Sequence, residues 1–248
     1  MASTSVPMPP NVPPNMPPPP PQPGFEENGP MFDQSLEEPG CFMVFLNVVN
    51  TITQLVLGGV AFSALYFINN HGGSDQLRQH IYLCVIGYVI LMSQAILSFN
   101  PSTSFAYNLK HPTRKAIHGL MQVSGATLAI IGSIIRLDNV RNNFETTHGV
   151  LGFVAMLFTS MSLIGGLAKL LFGKRMNGLL LSTLHSCFGA LTLIIAFLAL
   201  CYGFDLDLYR DDAGDVNASL SIAFTVIGML GVVFMAFVNM TRRLCKCM

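Results

Sequence analysis

The sequence predicts an all-α membrane protein of six transmembrane helices, and three observations predict it. Only 10% of the 248 residues are charged while 51% are hydrophobic, against about a quarter charged in an ordinary soluble domain. The mean hydropathy is +0.53. Six apolar stretches, each long enough to cross a bilayer, follow one another with short polar breaks. Over such lengths only a helix satisfies the backbone without the alternation of a barrel.

The first forty residues stand apart. They hold 13 of the 15 prolines, five acidic residues and no Lys or Arg. No basic region followed by an apolar core opens the chain, so no signal peptide is expected. The run Pro17–Pro21 favours extended polyproline II and a solvated, disordered tail over residues 1–40. Docking of that run into an SH3- or WW-like groove is the minor alternative.

The six segments run Cys41–Ile68, His80–Phe99, Lys115–Leu137, Thr147–Phe172, Gly178–Gly203 and Ala218–Met240. They define a membrane domain over 41–240 with a core at 79–203, followed by a short basic tail at 241–248. Asn47, Asn50 and Gln54 form a polar stripe on the first segment, which is expected to face the bundle. The cysteines show no C-x-x-C spacing. Cys245 and Cys247 beyond the last span suit palmitoylation or remain free thiols.

Local charge sets orientation. Lys110, Arg114, Lys115, Lys169, Lys174, Arg175, Arg242, Arg243 and Lys246 lie towards the side that holds both termini; Arg78, Arg136, Arg141 and Arg210 lie towards the other. The positive-inside rule then places both termini in the cytosol. A formal net charge of +0 gives no global field to attract nucleic acid.

Four consecutive segments carry one histidine each near their start: His80, His118, His148 and His185. With six histidines in the chain, this arises by chance about once in a thousand. A lone histidine at such a position is usually interfacial or internally hydrogen-bonded, and the mirrored set reverses that preference. Direction and depth pair His80 with His148 near the outer face and His118 with His185 near the cytosolic face. Two imidazoles without a nearby carboxylate or thiolate suit the axial positions of a haem iron, whose macrocycle supplies the other four donors. Zinc or copper sites usually gather three or four side chains. The second to fifth helices are therefore expected to form a four-helix bundle around two haems.

Gly87 and Gly125, seven residues after His80 and His118, and Gly152 and Gly189, four after His148 and His185, share the histidine faces. They make room for a flat macrocycle or serve helix packing. Arg136 and Lys169 stand where haem propionates would reach them, or snorkel to the interface. Lys110, Arg114 and Lys115 before His118, and Lys174 and Arg175 before His185, form a cationic rim for a small anionic reductant, or only the topology signal.

These residues resemble the cytochrome b561 family over about Gln79 to Gly203, in particular its short, domain-containing branch. The resemblance rests on His80-Ile81-Tyr82-Leu83-Cys84, Arg114-Lys115-Ala116-Ile117-His118, Thr147-His148-Gly149-Val150-Leu151-Gly152 and Leu184-His185-Ser186. It implies a transmembrane oxidoreductase with two haem b per chain. It also implies cytosolic ascorbate as donor, ferric iron or monodehydroascorbate as outer acceptor, and homodimers. The chain departs from the family at Ile81, where a proline is usual, and at Gly149-Val150, where Ser-Trp is frequent. No histidine lies between His118 and His148; His71 in the first outer loop is the nearest substitute.

Two other classes compete. A proton-relaying transporter would want Asp or Glu within the spans, and none lies in a span interior. A haem-free membrane adaptor presenting the proline-rich tail leaves the four histidines unexplained.

Overall fold

The computed structural model describes residues 40–71, 73–99, 109–139, 142, 144–172 and 178–245. The proline-rich tail, Arg141, Lys174, Arg175 and Lys246 lie outside the described residues. Six helices are long and apolar enough to cross a membrane: α1 (Cys41–His71), α2 (Asp75–Leu97), α3 (His111–Asn139), α4 (Thr147–Phe172), α5 (Gly178–Phe204) and, after the short α6 (Asp207–Ala213), α7 (Asp215–Cys245). All described elements are helical, as the composition predicts.

The helix ends follow local chemistry. Ser74 Oγ accepts the amide of Leu77 at 3.2 Å and caps α2, with Asp75 in the first turn. Thr146 Oγ1 does the same for Gly149 at 3.1 Å and opens α4. Gly214, at φ 84° and ψ 151°, takes an extended positive-φ conformation open to glycine and separates α6 from α7. Between the predicted segments Gly178–Gly203 and Ala218–Met240, where the sequence predicts only a polar break, lies α6, because Tyr209 is buried against Phe67 and Phe204 at ring distances of 4.8 Å. α2 begins at Asp75, five residues earlier than expected, so His80 sits in its second turn.

The spans close into a ring in which each packs on its sequence neighbours, and α7 returns to α1 and α5. The apolar core is built by α1, α2, α5 and α7, with Leu57, Val89, Phe197 and Met235 almost fully buried. From α3 and α4 the buried residues are small: Gly125, Ala126, Ala129, Gly132 and Ser133, then Ala155 and Thr159. Bulk is thus withheld on the inward faces of the two helices that carry His118 and His148. The polar stripe of α1 does face inward: Asn50 is buried, and Gln54 and Gln94 exchange reciprocal amide hydrogen bonds between α1 and α2.

α2 is not uniform. Residues Val85–Met92 form a widened, π-type stretch between two α-helical arms. Ser93 Oγ donates to Tyr88 O at 3.0 Å, satisfying a carbonyl inside that stretch. Nothing in the periodicity of the sequence foretells it.

Candidate functional site

His80 near the start of α2 and His148 at the start of α4 converge, their ring centres 6.1 Å apart and their planes at 84°. His80 donates its Nδ1–H to Gly132 O on α3 at 3.0 Å, and His148 donates to Ala199 O on α5 at 2.7 Å. A carbonyl can only accept, so Nδ1 carries the proton in each ring. The lone pair is therefore left on Nε2. Each imidazole is held as a ligand is held, oriented through its second nitrogen.

Both rings line a cavity walled by small residues, Gly152, Ala155, Ala196, Ala199 and Gly203. Tyr209, Phe204 and Phe67, in ring contact with one another through Tyr209, line it as well. Arg136, half-buried at the end of α3, lines the same cavity. Gly152 has no atom within 4 Å of a Cβ position, so it leaves open space as the sequence reading required. Gly189 has only Ser162 Oγ within that distance, at 3.8 Å.

The other two glycines serve packing. A Cβ on Gly87 would lie 2.7 Å from Gly125 O, and one on Gly125 would lie 2.9 Å from Gly87 O. Gly87 and Gly125 are where α2 and α3 touch backbone to backbone, the close approach that small residues permit in membrane helices. Of the two roles open to them, room for a macrocycle or helix packing, Gly87 and Gly125 take packing.

At the opposite end, His118 donates Nδ1–H to Ala95 O on α2 at 2.8 Å and lies against Phe99, ring centres 4.9 Å apart. His185 on α5 packs on Gly166 of α4, where a Cβ would come within 3.1 Å of its Cε1. Gly203 of α5 stands in the same relation to His148, at 3.1 Å. Neither seat is among the glycines that the histidine spacing singles out in the sequence. A signal existed, since each glycine follows the histidine of its own helix by eighteen residues, five turns on the same face.

Lys169 donates to Ser182 Oγ at 3.0 Å, tying α4 to α5 near His185. Arg114 is half-buried one turn before His118, its Nε buried without a partner. Lys110 and Lys115 are exposed at the same end of α3. His71 is the last residue of α1 rather than a loop residue; it pairs with Asp212 of α6 at 3.5 Å and stacks on Phe67. Arg210 of α6 is hydrogen-bonded to Asp205 and to Asp215 at 2.9 Å, and these two carboxylates raise its pKa.

Among the described residues no cluster of three or more His, Cys, Asp or Glu could hold a bare metal ion. Two imidazoles on opposite sides of one metal, each ~2 Å from it, have centres about 6 Å apart. The His80–His148 separation therefore fits a metal that brings its own equatorial donors. The residues present fit a haem.

The comparisons with known proteins agree in extent. The eukaryotic cytochrome b561 family matches residues 79–210, from just before His80 to α6. The transmembrane reductase CYB561D2 of Mus musculus is 26% identical over 102 residues, 40% of this chain and 46% of that protein. Its Homo sapiens and Bos taurus counterparts match to the same extent. The match thus spans about half the length of these curated relatives. No solved structure matches the chain. The family match covers more than half of the chain and contains His80, His118, His148 and His185, so this membrane protein with six spans belongs to the cytochrome b561 family.

Proposed function

We propose that this protein carries electrons across a membrane, with His80 and His148 holding one haem b and His118 and His185 holding a second. The observation that carries this reading is the His80–His148 pair. Two tautomer-locked imidazoles, with ring centres 6.1 Å apart, line one cavity, and Gly152, Ala155, Ala196, Ala199 and Gly203 are among its other lining residues. When bound, a haem supplies reversible one-electron chemistry at its iron. The chain's residues do the rest. The carbonyls of Gly132, Ala199 and Ala95 fix the rings of His80, His148 and His118. Phe67, Phe204 and Tyr209 give the cavity an aromatic wall. Arg136 offers a cation to a carboxylate at the His80–His148 end, and Lys169 to one at the other.

With both termini cytosolic, the His118–His185 end meets the cytosol. The donor there is ascorbate, an anion that Lys110, Arg114 and Lys115 attract. Lys174 and Arg175 complete the set in sequence. The acceptor at the His80–His148 end is ferric iron or monodehydroascorbate, and the working unit is a homodimer. The supports are the family and the relatives' description as transmembrane reductases. A proton-relay transporter finds less support, because the Nδ1 protons of three histidines are committed to carbonyls.

The test is a dithionite-reduced minus oxidised spectrum of the purified protein with pigment counted per chain. Sharp b-type bands and two haems per chain are expected; a colourless, folded protein sinks the reading. His118→Ala is expected to keep the His80–His148 pigment and to lose at least tenfold in the rate of reduction by ascorbate from the cytosolic side. Two haems and an unchanged rate in that variant would dismiss the pairing.

A further inference from the structure

We propose that the widened stretch of α2 is a one-residue register insertion that lets α2 and α3 orient each other's histidine at the same time. α2 and α3 are antiparallel and bind each other reciprocally: His80 donates to Gly132 O, and His118 donates to Ala95 O. They touch backbone to backbone at Gly87 and Gly125, each seven residues after the histidine of its helix. Up to that crossing the two helices are equivalent. Beyond it they differ. On α3 the acceptor Gly132 comes seven residues after Gly125; on α2 the acceptor Ala95 comes eight residues after Gly87.

With eight residues between Gly87 and Ala95, a regular helix cannot make both ends meet. Each added residue advances the chain 1.5 Å and turns it by about 100°, so an eighth residue in an unbroken α-helix would carry the Ala95 carbonyl away from His118. A π-type turn absorbs one extra residue while leaving the flanking arms in phase. The stretch Val85–Met92 lies where the surplus residue must be. The hydrogen bond from Ser93 Oγ to Tyr88 O at 3.0 Å holds it there.

The α4–α5 pair supplies the control. His148 donates to Ala199 O, fourteen residues after His185. The α3 count from His118 to Gly132 is also fourteen, whereas α2 needs fifteen from His80 to Ala95. Gly203 and Gly166 repeat the reciprocity, each seating the other helix's histidine eighteen residues from its own. Fourteen is thus the spacing of a regular helix in this bundle, and α2 is the exception that carries the widened turn.

Two single-residue deletions at exposed apolar positions test the idea: ΔIle90 in the α2 stretch and ΔIle131 in the matching leg of α3. Removing Ile90 restores a spacing of fourteen. That variant is expected to stay monodisperse, melt within about 4 °C of the parent and retain its pigment content. Removing Ile131 shortens a regular leg and pulls Gly132 O out of phase with His80. It is expected to melt well below ΔIle90 and to retain no more than half of the pigment, or to fail to fold. Equal damage from both deletions, equal tolerance of both, or misfolding of ΔIle90 would overturn the register role. Melting needs no pigment, so a colourless parent would defeat the electron-transfer reading and leave this comparison standing.

Discussion

Gly203 and Gly166 set how closely α4 and α5 approach at the histidines. Each presents a bare Cα to the ring of the other helix's histidine, and an added methyl would come within 3.1 Å of that ring. Such a contact is tighter than the ring can accept without turning, and overpacking of this kind costs about 1–3 kcal/mol. Gly203→Ala is therefore expected to lower the melting temperature and, on the proposed assignment of two haems, to loosen the one at His148 while sparing the one at His185. Gly166→Ala is expected to act on His185 instead. Pigment titration and thermal unfolding of the two variants check the assignment; identical spectra in both would contradict it. Gly152 has open space around its Cα, so packing gives it no comparable sensitivity. The four histidines were legible in the sequence because their residue type is costly in a bilayer and their positions repeat. Their acceptors were not, because every residue has a carbonyl and only the folded pair selects Gly132, Ala95 or Ala199.

Helix pairs show how polar groups survive inside the bundle. Gln54 of α1 and Gln94 of α2 satisfy each other; Tyr88 of α2 and Thr159 of α4 do so at 2.9 Å. Losing one member strands the other, which costs about 1–3 kcal/mol, whereas replacing both with apolar groups is nearly neutral. Gln94→Leu alone is accordingly expected to destabilise the protein more than the double variant Gln54→Leu/Gln94→Leu. A thermal double-mutant cycle checks it, and additive losses would refute the pairing. The spans themselves were readable from apolar length, and Thr147–Phe172 agrees at both ends. α6 was not readable, because seven residues rich in Asp carry no apolar periodicity; Tyr209, buried between Phe67 and Phe204, makes it an element. The widened turn in α2 was equally hidden, since one surplus residue in an apolar run leaves hydropathy unchanged.

In the described domain the apolar mass is distributed unevenly. α1, α2, α5 and α7 fill their share of the interior with large side chains, while α3 and α4 offer alanine, glycine, serine and threonine around the histidines. A bundle built this way gains stability from whatever fills that space, by an amount that grows with the ligand's concentration over its dissociation constant. Pigment-depleted protein is thus expected to unfold at a lower temperature than the loaded form and to recover on adding haemin. Equal melting points would mean that the cavity does not depend on its occupant. The six spans, their alternating direction and the residue types able to bind a metal can be read from residue order alone, because hydropathy and residue chemistry are local properties. Which glycines pack helices and which seat rings, which nitrogen of His80, His118 and His148 is tied down, and how α2 keeps step with α3 emerge only in the folded chain. Those depend on distances between helices, which side-chain order along one chain does not encode.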